Sequence, residues 1–145
     1  MLAVIDTNVL LISISERSKY HSIYKGIADG KYSIAITHDI LTEYEEKIGE
    51  HWHPDVAANI ARALLEFPNV KLAMSYFSLN LISSDPDDNK FVDCAFASNA
   101  DYIVTNDSHF NVLKKINFPV FKVITISEFK EVVERLYGLD PGGDL

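Results

Sequence analysis

The sequence predicts an α/β fold in which helices cover both faces of a parallel sheet. Short runs rich in β-branched residues alternate along the chain with segments of helical pattern. These runs are almost continuously apolar, as in strands buried on both faces. The chain has 145 residues and 48% hydrophobic content, enough to build a substantial core.

Four segments are predicted as short buried strands, because each is a brief apolar run bounded by polar or turn-forming residues. They are Leu2–Ile5, Ser33–Thr37, Tyr102–Thr105 and Val120–Ile124. The segment Val70–Ile82 alternates only in part, which predicts two short extended pieces.

Helices are predicted between these strands from their end signals as well as their periodicity. Glycine after a helix and proline at its first turn are the main signals. The predicted helices are Tyr20–Ala28 ending at Asp29-Gly30, Asp39–Ile48 with Gly49 as its C-cap residue, a helix from Pro54 to before Pro68-Asn69, and Ile126–Tyr137.

A further helix is predicted to begin at Asp85-Pro86, with Asp85 as the cap and Pro86 at the first helical position. Asp88 lies in its first turn, and the apolar residues 91, 92, 95 and 96 follow at helical spacing. Asp88 is therefore expected on the face turned toward the sheet, whereas Asp87 and Asp93 fall off that face.

Residues 1–137 are predicted to form a single domain, and residues 138–145, which contain Pro141-Gly142-Gly143, are predicted to be a flexible tail. The apolar start of the chain is interrupted by Asp6 and Asn8, so it resembles neither a signal peptide nor a membrane span. A cytoplasmic location is expected. The single cysteine, Cys94, is expected to pack in the core.

Thirteen basic and 21 acidic residues give a net charge of −8, which argues against broad electrostatic capture of nucleic acid. A nuclease is not excluded, because carboxylates that hold divalent cations contribute negative charge themselves. Bound metal would reverse the local sign.

Four acidic residues are candidates for one metal site. Asp6 and Asp107 each follow an apolar strand, Asp88 lies on the inward face of its helix, and Glu43 borders an apolar helical stripe. Four clustered carboxylates would repel one another unless divalent cations neutralised them. An all-oxygen ligand set favours Mg²⁺ or Mn²⁺ over zinc.

Each acid also has an ordinary structural interpretation. Asp6 could be a turn residue, Glu43 a solvated helix charge, and Asp107 the cap of a helix that starts near Ser108. Asp85 and Asp87 are interpreted as a cap and a first-turn charge. His109 is interpreted as a residue at the start of the helix near Ser108. It is the combination of the four acids that favours the metal hypothesis.

The motifs and their order closely resemble those of the PIN-domain family, and within it the VapC-like group of toxins from bacterial and archaeal toxin–antitoxin systems. The likeness covers nearly the whole chain. It rests on Asp6-Thr7-Asn8, on Leu41-Thr42-Glu43-Tyr44, on residues 85–91 (DPDDNKF) and on residues 101–107 (DYIVTND).

This resemblance implies a three-layer α/β/α fold around a parallel sheet of about five strands. It implies that Asp6, Glu43, Asp88 and Asp107 are catalytic and bind metal, and that Thr7, Asn8 and Thr105 support them. Asn106 departs from the Gly or Arg of many relatives, which leaves the loop shape open. The implied reaction is hydrolysis of RNA assisted by one or two Mg²⁺ or Mn²⁺ ions.

The partners implied by the resemblance are an RNA substrate, a cognate antitoxin protein and a second copy of the chain in a homodimer. Two alternatives stay open: a catalytically inactive PIN-fold module that binds RNA or protein, and a housekeeping RNA-processing nuclease. A phosphoacceptor receiver domain is disfavoured, because its acids occur in a different order along the chain.

Overall fold

The computed structural model describes residues 1–138. Five parallel strands form a sheet in the order β3-β2-β1-β4-β5, within a three-layer α/β/α arrangement. The predicted fold class is confirmed. The strands are β1 (Leu2–Ile5), β2 (Ser33–Ile36), β3 (Val70–Leu72), β4 (Tyr102–Val104) and β5 (Val123–Ile124).

Six α-helices and two 3₁₀ helices accompany these strands in the described part of the chain. The α-helices are α1 (Thr7–Ile14), α2 (His21–Ala28), α3 (His38–His51), α4 (Pro54–Glu66), α5 (Asn89–Ser98) and α6 (Ile126–Gly138). The 3₁₀ helices are Pro86–Asp88 and Ser108–Lys115. None of the helices within residues 1–138 combines the length and apolar composition of a membrane span.

The order of the strands creates a switch point between β1 and β4. From β1 the chain adds β2 and β3 on one side, whereas β4 and β5 lie on the other side. Ile5 pairs with Val104, so the carboxyl ends of β1 and β4 lie side by side. In open parallel sheets, ligands bind beyond such ends at a switch point.

The predicted helix ends hold in part. Gly30 has φ +71° directly after Asp29, as expected for a chain reversal after α2. The prediction that Gly49 ends the third helix is wrong, because α3 continues to His51. A Cβ at Gly49 would lie 3.6 Å from the Cβ of Ala57, so this glycine sits where α3 passes α4.

Apart from Leu2–Ile5, the predicted strands are shorter in the structure. Only Val70–Leu72 of the segment Val70–Ile82 pairs with the sheet, where it forms the edge strand β3. The last strand is confined to Val123–Ile124, and Val120 lies outside it with 78% of its surface exposed. Thr37 is a cap rather than a strand residue, since its hydroxyl accepts a hydrogen bond from the amide of Ile40.

The predicted tail falls largely outside the described residues. Gly138 is the last residue of α6, whereas 139–145 lie beyond the part of the chain that the structure describes. Cys94 is buried as predicted.

Candidate metal centre

The acids that follow β1 and β4 are joined by Thr105. The amide of Asp6 donates to the carbonyl of Val104 at 3.0 Å, which extends the sheet pairing by one residue. The Thr105 hydroxyl donates to Oδ2 of Asp6 at 2.7 Å and accepts from the amide of Asp107 at 3.0 Å. One buried hydroxyl therefore sets the positions of both strand-end acids.

A histidine lies among the acids on this edge of the sheet. Nδ1 of His109 is 3.2 Å from Oδ1 of Asp107, 3.6 Å from Oδ2 of Asp88 and 3.9 Å from Oδ2 of Asp85. One ligand atom from each of the four residues lies within 4.8 Å of every other. We call Asp85, Asp88, Asp107 and His109 the His109 cluster.

Two 3₁₀ helices build this cluster. Asp107 accepts from the amide of His109 at 2.9 Å and so caps the helix Ser108–Lys115, as its structural interpretation predicted. Asp85 accepts from the amide of Asp87 at 3.3 Å, which confirms it as a cap. Asp85 and Asp88 are three residues apart, and this spacing is one turn of a 3₁₀ helix.

Charge in the His109 cluster is poorly compensated. The pKa of Asp88 is raised to about 7, mainly by burial and also by the charges of Asp85, Asp107 and Asp6. Burial also raises the pKa of Asp6, although the hydrogen bond from Thr105 opposes this shift. Within residues 1–138, neither lysine nor arginine forms an ion pair with Asp85, Asp88 or Asp107.

Two atoms of the cluster show that it suits a cation. Oδ2 of Asp88 and Nδ1 of His109 are buried, and neither has a hydrogen-bond partner. Buried polar atoms are rarely left without a partner, since the loss of hydration is costly. Three carboxylates and one imidazole form a donor set for a divalent metal ion.

Glu43 is held differently. Nζ of Lys90 lies 2.8 Å from Oε1 of Glu43 and 2.8 Å from Oδ2 of Asp87, while the Thr7 hydroxyl donates to Oε2 of Glu43. The hydrogen bond and charge of Lys90 lower the pKa of Asp87. We call Glu43, Asp87 and Lys90 the Lys90 cluster.

Two open cavities reach the acids. One of about 260 Å³ is lined by Asp6, Val9, Ile12, Asp107 and the exposed residues Asn8 and Asn106. A larger cavity of about 550 Å³ lies beside the Lys90 cluster, between α3, α5 and the segment around Ser78 and Asn80. The smaller cavity is the one that reaches the strand-end acids.

The structure distributes the four predicted acids over both clusters. Asp88 and Asp107 belong to the His109 cluster, and Asp6 raises the pKa of Asp88 from beside it. Glu43 is close enough to raise the pKa of Asp6, but its oxygens contact Lys90 and Thr7. Asn8 lines the smaller cavity.

Asp85, His109 and Lys90 are not among the metal-site residues predicted from the sequence. The short spacings between Asp85 and Asp88 and between Asp107 and His109 could have indicated shared metal ligation. This would have required both segments to be recognised as 3₁₀ helices. Lys90 gave no such signal. Asn106, whose effect on the loop was open, accepts from the amide of Ile126 at 3.0 Å and so fastens the start of α6.

The comparisons with known proteins give one family match. A family model described as PIN domain matches residues 3–109, which is more than half of the chain and includes both clusters. The search of curated proteins found no match.

Proposed function

We infer the activity of this chain from its family: it belongs to the PIN domain family, whose members are generally nucleases. We propose that it is a Mg²⁺- or Mn²⁺-dependent endoribonuclease that hydrolyses phosphodiester bonds of RNA. The observation that carries the proposal is the uncompensated set of carboxylates at the switch point of the sheet, with two buried ligand atoms unpartnered.

Asp6, Asp88 and Asp107 would hold the cation, and Glu43 borders the same site. When bound, a divalent cation supplies positive charge that polarises a phosphodiester and makes a water molecule more acidic. Carboxylates that are partly protonated without the metal release protons when they bind it. This applies most to Asp88, whose pKa is raised to about 7.

The supporting residues keep the carboxylates in place before substrate arrives. Thr105 orients Asp6 and Asp107 through its two hydrogen bonds. Thr7 contacts one oxygen of Glu43, and Lys90 contacts the other. Ligands fixed in this way lose little conformational freedom when the cation and the phosphodiester bind.

For the biological role, we propose the toxin of a toxin–antitoxin pair that acts in the cytoplasm, forms a homodimer and is inhibited by a cognate antitoxin protein. The resemblance of the motifs to the VapC-like group supports this role. Exposed apolar side chains support a protein partner, since Ile12 on α1 is 45% exposed and Met74, Tyr76 and Phe77 are each at least 66% exposed.

The test is cleavage of a single-stranded RNA in Mn²⁺ by the wild type and by Asp6→Asn. We expect the rate to fall by about a hundredfold, because Asp6 would no longer contribute a charged ligand. Asp55→Asn, at an exposed site on α4, is the matched control and should cleave like the wild type. Undiminished cleavage by Asp6→Asn would refute the site.

A second candidate is a PIN-fold module that binds RNA or protein without catalysis. The ion pair of Lys90 with Glu43 favours it, because that pair already neutralises one of the four acids. Titration with Mn²⁺ separates the candidates. Failure to bind Mn²⁺ at millimolar concentration, together with retained RNA binding, would replace the nuclease by this module.

A further inference from the structure

We propose that Nδ1 of His109 is a metal ligand, and that it makes the site prefer a divalent transition metal such as Mn²⁺ to Mg²⁺. The proposal deepens the nuclease assignment and rests on it for the presence of a cation. It adds a nitrogen donor, together with Asp85, to the acids predicted from the sequence.

The distances around Nδ1 permit a shared ion. Two ligand atoms that each lie about 2.1 Å from one ion are about 3.0 Å apart at a right angle and about 4.2 Å apart on opposite sides. The separations of 3.2, 3.6 and 3.9 Å from Nδ1 to the three carboxylates all fall within this interval.

The orientation of His109 does not fit a simple counter-ion. An imidazolium that served only to neutralise the acids would direct its N–H at a carboxylate oxygen. Nδ1 is buried among three carboxylates and yet has no hydrogen-bond partner. A lone pair on Nδ1 directed at an ion common to all four residues satisfies this atom and Oδ2 of Asp88 together.

The backbone fixes this orientation. The amide of His109 donates to the same Asp107 carboxylate that Nδ1 approaches, so the residue is held at the start of its 3₁₀ helix. The side chain as a whole is 41% exposed while Nδ1 is buried. The Nε2 side of the ring can therefore carry the proton, which leaves Nδ1 unprotonated for the metal.

A nitrogen donor changes which metals the site prefers. Mg²⁺ is a hard cation that takes oxygen ligands and retains its waters. Divalent first-row transition metals accept imidazole nitrogen more readily than Mg²⁺ does, and Mn²⁺ has the lowest affinity of that series. A site of four carboxylates alone would distinguish Mg²⁺ from Mn²⁺ weakly. The imidazole nitrogen of His109 would favour Mn²⁺ over Mg²⁺ at this site.

The experiment combines pulsed EPR of the Mn²⁺-loaded protein with titrations of Mn²⁺ and of Mg²⁺. The wild type should show coupling of the Mn²⁺ electron spin to a ¹⁴N nucleus. His109→Gln should lose that coupling and bind Mn²⁺ about tenfold more weakly, while its Mg²⁺ affinity falls much less. His38→Gln, which removes an exposed histidine at the start of α3, should keep the coupling.

Three outcomes would overturn the proposal: no ¹⁴N coupling in the wild type, coupling that persists in His109→Gln, or equal losses of Mn²⁺ and Mg²⁺ affinity in that variant. A thermal melt of each variant establishes that it is folded. RNA cleavage is measured separately. Coupling without cleavage would refute the nuclease but not the ligand, and cleavage without coupling would refute the ligand alone.

Discussion

The His109 cluster and the Lys90 cluster lie on the same side of the molecule but balance their charges in opposite ways. In the Lys90 cluster, one ammonium group contacts both carboxylates at 2.8 Å, and the pKa of Asp87 is lowered. In the His109 cluster, three carboxylates share a histidine without a lysine or arginine among the described residues 1–138, and the pKa of Asp88 is raised to about 7.

The comparison shows that acidity alone does not mark a metal site. Carboxylates that are paired with a lysine side chain are neutralised by the fold itself. Carboxylates without such a partner are neutralised when a cation binds from solution. The Lys90 cluster should therefore depend on its lysine for stability. The His109 cluster should depend on the ions and the pH of the buffer.

The largest expected effect comes from removing the internal cation. Lys90→Met leaves Glu43 and Asp87 without their ammonium partner. The Lys90 and Glu43 side chains are only 15% and 19% exposed, so we expect the free energy of unfolding to fall by about 3 kcal/mol. The free energy of unfolding in urea measures this loss. Lys47→Met, which breaks an exposed pair with Glu50, should cost less than about 0.5 kcal/mol. Equal costs would remove the distinction between buried and exposed pairs.

A slightly smaller effect is expected when a cation is added to the other cluster. Mn²⁺ at a hundred times its dissociation constant should stabilise the wild type by about 2.7 kcal/mol relative to protein in EDTA. Thermal melts with and without Mn²⁺ measure the difference. Asp107→Asn should lose most of this stabilisation, whereas Lys47→Met, which changes an exposed pair with Glu50, should retain it. Full retention by Asp107→Asn would place the ion elsewhere.

The third effect is a pH dependence of stability in EDTA. The pKa of Asp88 is about 7 in the folded protein, whereas its ordinary value is 3.8, so between these pH values the folded state holds a proton that the unfolded state has released. The free energy of unfolding should therefore decrease as pH rises from about 4 to about 7. Because solvent screens a partly exposed carboxyl, we expect a contribution on the order of 1–2 kcal/mol, below the full value of about 4 kcal/mol for this shift.

Urea denaturation at several pH values checks this dependence, and Asp88→Asn should flatten it. Asp87 acts with the opposite sign, because its pKa is lowered by Lys90. Its contribution is present above its unfolded pKa and is lost as the pH falls through the folded value. The same pH dependence in the wild type and in Asp88→Asn would contradict the assignment to Asp88.

The smallest effect concerns the hydroxyl that joins two acids. Thr105→Val removes the hydrogen bonds to Asp6 and Asp107, and we expect a loss of about 1 kcal/mol in stability and weaker Mn²⁺ binding. Thr42→Val is the control, because the Thr42 hydroxyl donates to the carbonyl of His38 in its own helix. The same loss of Mn²⁺ affinity in both variants would argue against a role for Thr105 in positioning.

Much of the fold was predictable because the relevant signals are local. An apolar run such as Leu2–Ile5 is stable only when it is buried in the interior. Asp85-Pro86 signals a helix start locally, because Asp85 caps the helix and Pro86 occupies its first position. The misassigned elements depend on neighbours. Gly49 looks like a helix end until α4 packs against it, and the segment after Leu72 lies past the last pairing between β2 and β3.

By itself the sequence determined the α/β class and the strand-end positions of Asp6 and Asp107, since periodicity and chain order encode these features. The tertiary structure alone decided which acids remain uncompensated. Lys90 is remote from Glu43 in the chain and His109 is remote from Asp85, yet each pair meets within 4 Å. Charge balance depends on distances in space, and these arise only when separate elements pack together.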